Sequence, residues 1–238
     1  MSVTAAMIMG AGLGTRMRPL TDDRPKPMIP VLGKPLIDHA IDRLVAAGIT
    51  RIVVNLHYKA EILRAHLSAR RDAEIVFSDE TERLLDTGGG VVKAMPLFGD
   101  APFFILNSDS LWTENGAPAL SAMQKSWNPA MMDGLLLLAE MATALGYDGA
   151  GDFVLGGDGR IARARNTPGK PFAYPGVQIV HPRLFADAPP GAFSTNLMWN
   201  RAIAAGRLFG TVLDGTWLHV GTPQARDAAE AFLAAHPA

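Results

Sequence analysis

The chain contains no cysteine. Disulfides, thiolate nucleophiles and cysteine-ligated metals are therefore excluded, and the composition fits a reducing compartment. Charge of either sign is not in excess: 22 Lys and Arg stand against 23 Asp and Glu, a net charge of −1. No global field would draw the protein to nucleic acid or to an anionic membrane, so phosphate binding must come from local placement of charge. Long apolar runs are missing as well. The longest, Gly134 to Ala139, falls far short of the roughly 20 residues that span a bilayer, and the first residues lack the basic start and cleavage pattern of a secretory signal. No repeat, low-complexity tract or linker interrupts the 238 residues. The expectation is a single cytoplasmic domain over residues 1–238 with small partners, neither nucleic acid nor membrane.

What is present is an ordinary apolar content, 48% hydrophobic with 19% charged residues, arranged as short apolar runs alternating with helical stripes. Ala5–Met9 reads as a buried first strand. Leu36, Ile37, Ala40, Ile41, Leu44 and Val45 form one helical stripe, and Gly48 supplies its stop. Strands are predicted at 52–56, 74–77 and 103–106, and helices over 60–69, over 90–95 before Pro96, and over 117–127. A strand at 134–139, a hairpin turning at Gly156–Gly159, a strand at 176–180, a helix over 195–205, a strand at 210–212 and a last helix from Pro223 follow. This rhythm predicts an α/β protein with a doubly wound, Rossmann-like mixed sheet and helices on both faces.

The most informative stretch follows the first strand. Gly10, Gly12 and Gly14, separated by Ala11 and Leu13, let the backbone approach an anion and present N–H groups to it. Arg16, Arg18 and Lys26 come close behind. A dinucleotide fingerprint would need its third glycine one residue later, directly opening a helix, and a Walker A loop would need Gly-Lys-Ser/Thr. Neither pattern is here. A plain tight turn would explain the glycines alone, but not the cations that follow them.

The run Met9 to Pro30, with Gly-Ala-Gly-Leu-Gly-Thr-Arg-Met-Arg-Pro-Leu-Thr and then Pro-Lys-Pro-Met-Ile-Pro, closely resembles the signature of the sugar-1-phosphate nucleotidyltransferases. Further landmarks extend the resemblance over nearly the whole chain: Thr87-Gly88-Gly89-Gly90, Asn107-Ser108-Asp109, Tyr174-Pro175-Gly176 and Trp217-Leu218-His219-Val220-Gly221-Thr222-Pro223. The compact length and the Thr-Gly-Gly-Gly version of the base loop look most like the N-acetylmuramate-1-phosphate uridylyltransferases of cell-wall recycling. Guanylyltransferases for mannose 1-phosphate and uridylyl- or thymidylyltransferases for glucose 1-phosphate are the alternatives. The resemblance implies transfer of a nucleotide from UTP or another nucleoside triphosphate to a sugar 1-phosphate, with magnesium (or manganese) as cofactor. No C-terminal β-helix domain of the kind some relatives carry is expected, and monomer and homodimer stay open.

Asp109 follows an apolar strand, so its carboxylate should emerge at the carboxyl edge of the sheet beside the glycine loop. The resemblance makes it the metal-binding aspartate; capping a turn with Ser108 and Ser110 is the other reading. The family usually places a second aspartate in the late motif, where this chain has His219. Imidazole is a poorer magnesium partner. His219 is therefore open to three readings: a metal ligand, a contact to phosphate or metal-bound water, or a structural histidine. Its presence also keeps open a non-catalytic nucleotide-sugar-binding regulator.

By resemblance, Arg16, Lys26 and Asp109 are catalytic. Gly10, Ala11, Gly12, Gly14, Thr15, Glu80, Leu85, Thr87 and Gly88 bind the nucleotide, with Glu82 an alternative to Glu80 and a plain helix start an alternative for Thr87–Gly90. Asn107, Asp152, Gly176, Asn196 and Arg201 are the implied sugar positions. For Asp152, Gly176, Asn196 and Arg201, a turn residue, a strand bulge, a helix start and an exposed helical arginine are the competing readings. Trp199 and Trp217 read first as packing residues.

Overall fold

In a computed structural model, which describes residues 3–236, the chain builds one ten-stranded mixed sheet and two small ones. Its first half alternates strand and helix: β1 (Ala5–Met9), a hairpin of β2 (Pro30–Val31) and β3 (Lys34–Pro35), α1 (Leu36–Ala46), β4 (Arg51–Leu56), α2 (Ala60–Leu67), β5 (Glu74–Asp79), α3 (Asp86–Ala94) and β6 (Phe103–Asn107). Next come β7 (Ser110–Trp112), α4 (Ala119–Ser126), β8 (Gly134–Glu140), β9 (Ala144–Leu145), β10 (Phe153–Leu155), β11 (Ile161–Arg163), β12 (Pro171–Ala173) and β13 (Val177–Val180). The described chain closes with α5 (Asn196–Ala204), β14 (Leu208–Val212), β15 (Trp217–His219) and α6 (Pro223–Ala235). The main sheet runs β11-β10-β12-β8-β13-β6-β1-β4-β5, with β14 along β8. This is the mixed α/β sheet that the alternating pattern predicts.

Strand β1 pairs in parallel with both β4 and β6, and its side chains enter a core on each face, Ile8 one and Met7 the other, so its sequence is a continuous apolar run. Period two then sorts neighbouring strands between two cores. Phe104 and Leu106 of β6 with Leu135 and Leu137 of β8 face one core, packed with Ile41 and Leu63 from α1 and α2. Phe103, Ile105, Leu136 and Leu138 face the other, with Val91 of α3 and Met198 of α5. Each such side chain fully buried stabilises the fold by about 1.5–3 kcal/mol. The stripe on α1 points inward as its spacing requires, and Gly48 ends that segment with φ +81°.

Topology then sets the position of the site. From β1 the chain moves outward through β4 and β5, and later returns to place β6 on the other side of β1. The crevice between β1 and β6 is therefore a topological switch point, where α/β sheets bind ligands at their carboxyl ends. The glycine loop leaves one of these strands and Asp109 the other. A three-stranded sheet, β7-β15-β9, aligns Ser110 with His219 and so draws the late motif toward Asp109.

One element departs from its sequence reading. Helix α3 begins at Asp86, four residues before the predicted start at Gly90, and takes in all three glycines. Glycine is a poor helix former, but packing decides here. A Cβ at Gly88 would lie 2.3 Å from the Phe193 ring, one at Gly89 2.3 Å from the Gly191 carbonyl oxygen, and one at Gly90 2.7 Å from Glu80 Oε1. Only a helix without side chains at these positions lets the 191–193 segment and Glu80 approach.

Candidate active site

Two cavities open at the switch point. The first, about 460 Å³, lies between the glycine loop, Arg16, Lys26, Thr87 and Asp109. The second, about 330 Å³, adjoins it, and the two share Met9, Asp86, Thr87, Asn107 and Asp109. Asp109 thus stands where two ligands would meet.

The three glycines do different work. A Cβ at Gly10 would lie 2.8 Å from the Asn55 carbonyl oxygen, and the Gly10 N–H donates to Asn55 Oδ1 at 2.7 Å. That amide belongs to the joint between β1 and β4 and is not free to cradle phosphate, although Gly10 itself lines the first cavity. Gly14 has φ +64°, and a Cβ there would meet Thr21 Cγ2 at 2.9 Å. Gly12 has open space where its Cβ would be, so nothing in the protein requires a glycine there. Among the described residues, the amides of Ala11, Gly12, Leu13 and Gly14 find no protein acceptor. Successive unpaired N–H groups at a strand end form an anion nest.

Arg16 is exposed, lines the first cavity and has no acidic partner among the described residues. Lys26 is different: its ammonium donates to Asp109 Oδ2, with the two side chains only 12% and 18% exposed. Burial opposes ionisation of Asp109, but the Lys26 charge and the contacts with His219 and Lys26 outweigh it and hold the carboxyl well below the usual range. His219 places Nε2 3.7 Å from the same oxygen. Its Nδ1 lies 3.2 Å from the Gly146 carbonyl oxygen, which can only accept, so in this contact Nδ1 is the donor. Backbone contacts of this kind orient metal-ligating histidines.

Among the described residues no group of three or more acidic, histidine or cysteine side chains could hold a metal. One carboxylate with one imidazole fits a hard divalent cation only when substrate phosphates complete its shell. Asp109 lines both cavities and His219 the second, so phosphates bound there would lie beside the pair.

Other expected positions divide. Ala11, Thr15, Glu80 and Thr87 line the first cavity. Glu80 is only 1% exposed, however, accepting from Asn55 Nδ2 at 2.7 Å and from the Leu85 N–H at 3.1 Å. It braces the loops that frame the cavity and does not hold an open carboxylate toward a base. Leu85 and Gly88 are outside the cavity wall, Gly88 being covered by Phe193. Asn107, Asp152 and Asn196 line the second cavity. Gly176 does not; its φ of +79° leaves room for the Asn107 side chain, which a Cβ would strike at 2.5 Å. Arg201 is also outside, exposed on α5 and donating to the Asp187 carbonyl oxygen at 2.5 Å. Trp199 packs as predicted, its Nε1 donating to Gln178 Oε1 at 2.9 Å, and also walls the second cavity with Trp217.

Sequence reasoning gave no role to Arg163 or Tyr147 and took Tyr174 only as part of the Tyr174-Pro175-Gly176 landmark; all three line the second cavity. Asp152 Oδ2 accepts from the Tyr147 hydroxyl at 3.0 Å and from the Tyr174 N–H at 2.8 Å. For Arg163 the local signal was the hairpin at Gly156–Gly159, whose pairing sets it opposite Phe153.

The sequence matches the Nucleotidyl transferase family over residues 5–164. It is 47% identical over 233 residues to N-acetylmuramate alpha-1-phosphate uridylyltransferase of Caulobacter vibrioides, covering 96% of each chain. To the enzyme of the same description from Neisseria meningitidis serogroup B it is 34% identical over 220 residues, covering 91% of this chain and 93% of that one. Among solved structures, UDP-glucose pyrophosphorylase complexed with UDP-glucose superposes with a TM-score of 0.79 at 16% identity, over 98% of this chain and 99% of that one.

Proposed function

Since the chain belongs to the nucleotidyl transferase family of sugar-1-phosphate nucleotidyltransferases, we propose that it joins UTP to N-acetylmuramate 1-phosphate, releasing pyrophosphate and forming the UDP sugar. The observation that carries this reading is the meeting of two cavities at Asp109, with Arg16, Lys26 and the free amides of the glycine loop on the side of the first. The sugar is taken from relatives that match almost end to end.

In the reaction a sugar-phosphate oxygen attacks the α-phosphorus in line. A new phosphorus–oxygen bond forms while the bond from that phosphorus to the bridging oxygen of the β-phosphate breaks, and pyrophosphate leaves with the electron pair. The attacking oxygen is already anionic, so no general base is needed; alignment and neutralisation of developing charge lower the barrier. We assign the amides of Ala11–Gly14 to the triphosphate, Arg16 to the β- and γ-phosphates, and Lys26 to the α-phosphate or the incoming sugar phosphate. A divalent cation, magnesium or manganese, would neutralise charge on both reactants, and Asp109 with His219 would hold it. The same reading makes the reaction a cytoplasmic step of cell-wall recycling.

Pyrophosphate release tests this directly, crossing UTP, dTTP, GTP and CTP with the 1-phosphates of N-acetylmuramate, N-acetylglucosamine, glucose and mannose. Strong turnover with UTP and N-acetylmuramate 1-phosphate is expected. Preference for another pair would replace the substrate, and nucleotide binding without turnover would replace the enzyme with a sensor.

A further inference from the structure

Arg163 is the one lysine or arginine that lines the second cavity among the described residues. Its guanidinium carbon lies 4.7 Å from the Phe153 ring centre and 5.6 Å from that of Trp199. Nε donates to Asn200 Oδ1 at 2.9 Å and Nη2 to the Asn196 carbonyl oxygen at 3.3 Å. Of the five N–H donors of a guanidinium, both on Nη1 and the second on Nη2 therefore have no protein acceptor among the described residues. The group is held rigidly against two aromatic rings with donors to spare.

Among the described residues Arg163 makes no ion pair. Burial lowers its pKa, and the charge of Asp152 only partly opposes this. Asp152 makes no ion pair with it; its Oδ2 accepts from Tyr147 and Tyr174. Of the other acids on the cavity wall, Asp109 pairs with Lys26, and Asp86 Oδ1 accepts from the Thr87 N–H at 2.5 Å. A half-buried cation set against Phe153 and Trp199 with donors unused is better satisfied when an anion completes it.

We propose that Arg163 is the specificity residue that binds the carboxylate of an ether-linked acid arm on the sugar 1-phosphate. The inference rests on the proposed function and deepens it. N-acetylmuramate 1-phosphate is anionic at two ends, the phosphate and the lactyl carboxylate. Arg16 and Lys26 face the first cavity, where the reacting phosphates would lie, and Arg163 supplies the second cavity with a cation for the other end. Its side-by-side Nη1 and Nη2 donors match the two oxygens of a carboxylate. N-acetylglucosamine 1-phosphate has the same ring and phosphate without the arm, so Arg163 separates the two sugars.

The test uses the full chain with UTP and compares N-acetylmuramate 1-phosphate, its lactyl methyl ester and N-acetylglucosamine 1-phosphate. With the unaltered protein the ester should be used about 10- to 100-fold less well than the acid, the scale of a lost charged hydrogen bond. Arg163→Met should lower kcat/KM for the acid by a similar factor, mainly by raising KM, and change N-acetylglucosamine 1-phosphate by less than about three-fold. Arg163→Lys should recover part of the loss. Equal use of acid and ester by the unaltered protein would overturn the assignment without recourse to any variant, and so would equal losses with both sugars in a folded Arg163→Met. Failure of the unaltered protein to use N-acetylmuramate 1-phosphate at all would instead overturn the proposed function and the inference with it.

Discussion

The Lys26 ammonium donates to Asp109 Oδ2, joining two side chains 83 positions apart at the boundary of both cavities. On the proposed function, reactants carrying several negative charges would draw Lys26 from this pair toward their phosphates.

Removing that charge should act on turnover. Lys26→Ala and Arg16→Ala are each expected to reduce kcat by about 100- to 1,000-fold, the scale seen when one transition-state donor is lost. Because Arg16 is exposed and unpaired, its replacement should leave folding stability within about 0.5 kcal/mol. Steady-state kinetics with thermal unfolding checks both, and unchanged kcat in the two variants would remove them from the chemistry.

Glycines of one loop should separate into structural and ligand-facing positions. Gly10→Ala forces a Cβ against the Asn55 backbone and should destabilise by about 1–3 kcal/mol. Gly12→Ala meets nothing in the protein, so its melting temperature should stay unchanged while UTP affinity falls. Calorimetric titration alongside thermal unfolding distinguishes them; equal UTP affinity in Gly12→Ala would show that the nest is not the phosphate site.

His219 should set the choice of metal. With an imidazole beside Asp109, a borderline cation is favoured relative to a purely carboxylate site. His219→Asp should shift the ratio of manganese- to magnesium-supported activity toward magnesium, and His219→Ala should weaken activation by both. A ratio unmoved by either change would identify His219 as a structural residue.

Tyr147 should give stability an alkaline dependence. Burial, reinforced by the Asp152 charge, pushes its pKa up to about 12. An unfolded tyrosine ionises near about pH 10, so between these values the unfolded chain releases a proton that the folded chain keeps. The contribution is complete below about pH 10 and lost as pH rises through about 12. Tyr147→Phe should flatten that part of the melting temperature curve; parallel curves for the two proteins would refute the linkage.

Sequence pattern alone was enough for the α/β alternation, because helical and strand periods are local consequences of which face is buried. Ala5–Met9 and Phe103–Leu106 announce buried parallel strands, and the α1 stripe announces its inner face. The glycine loop and its following cations were legible for the same reason, being contiguous. Thr87–Gly90 was legible only as a loop with a helix start as its alternative: its propensity opposes a helix, and the contacts with Phe193 and Gly191 that impose one come from about a hundred residues downstream.

Composition and motif thus determined the class of fold, the kind of ligand and the identity of Arg16, Lys26 and Asp109 as a group to consider together. Tertiary structure decided what each side chain faces. Strand register brings His219 to Asp109, turns Glu80 inward to brace two loops, leaves Arg201 outside and brings in Arg163 on a hairpin that no motif marks. The difference is physical: burial leaves a periodic trace along the chain, whereas a site is assembled across strands whose pairing has no local spelling.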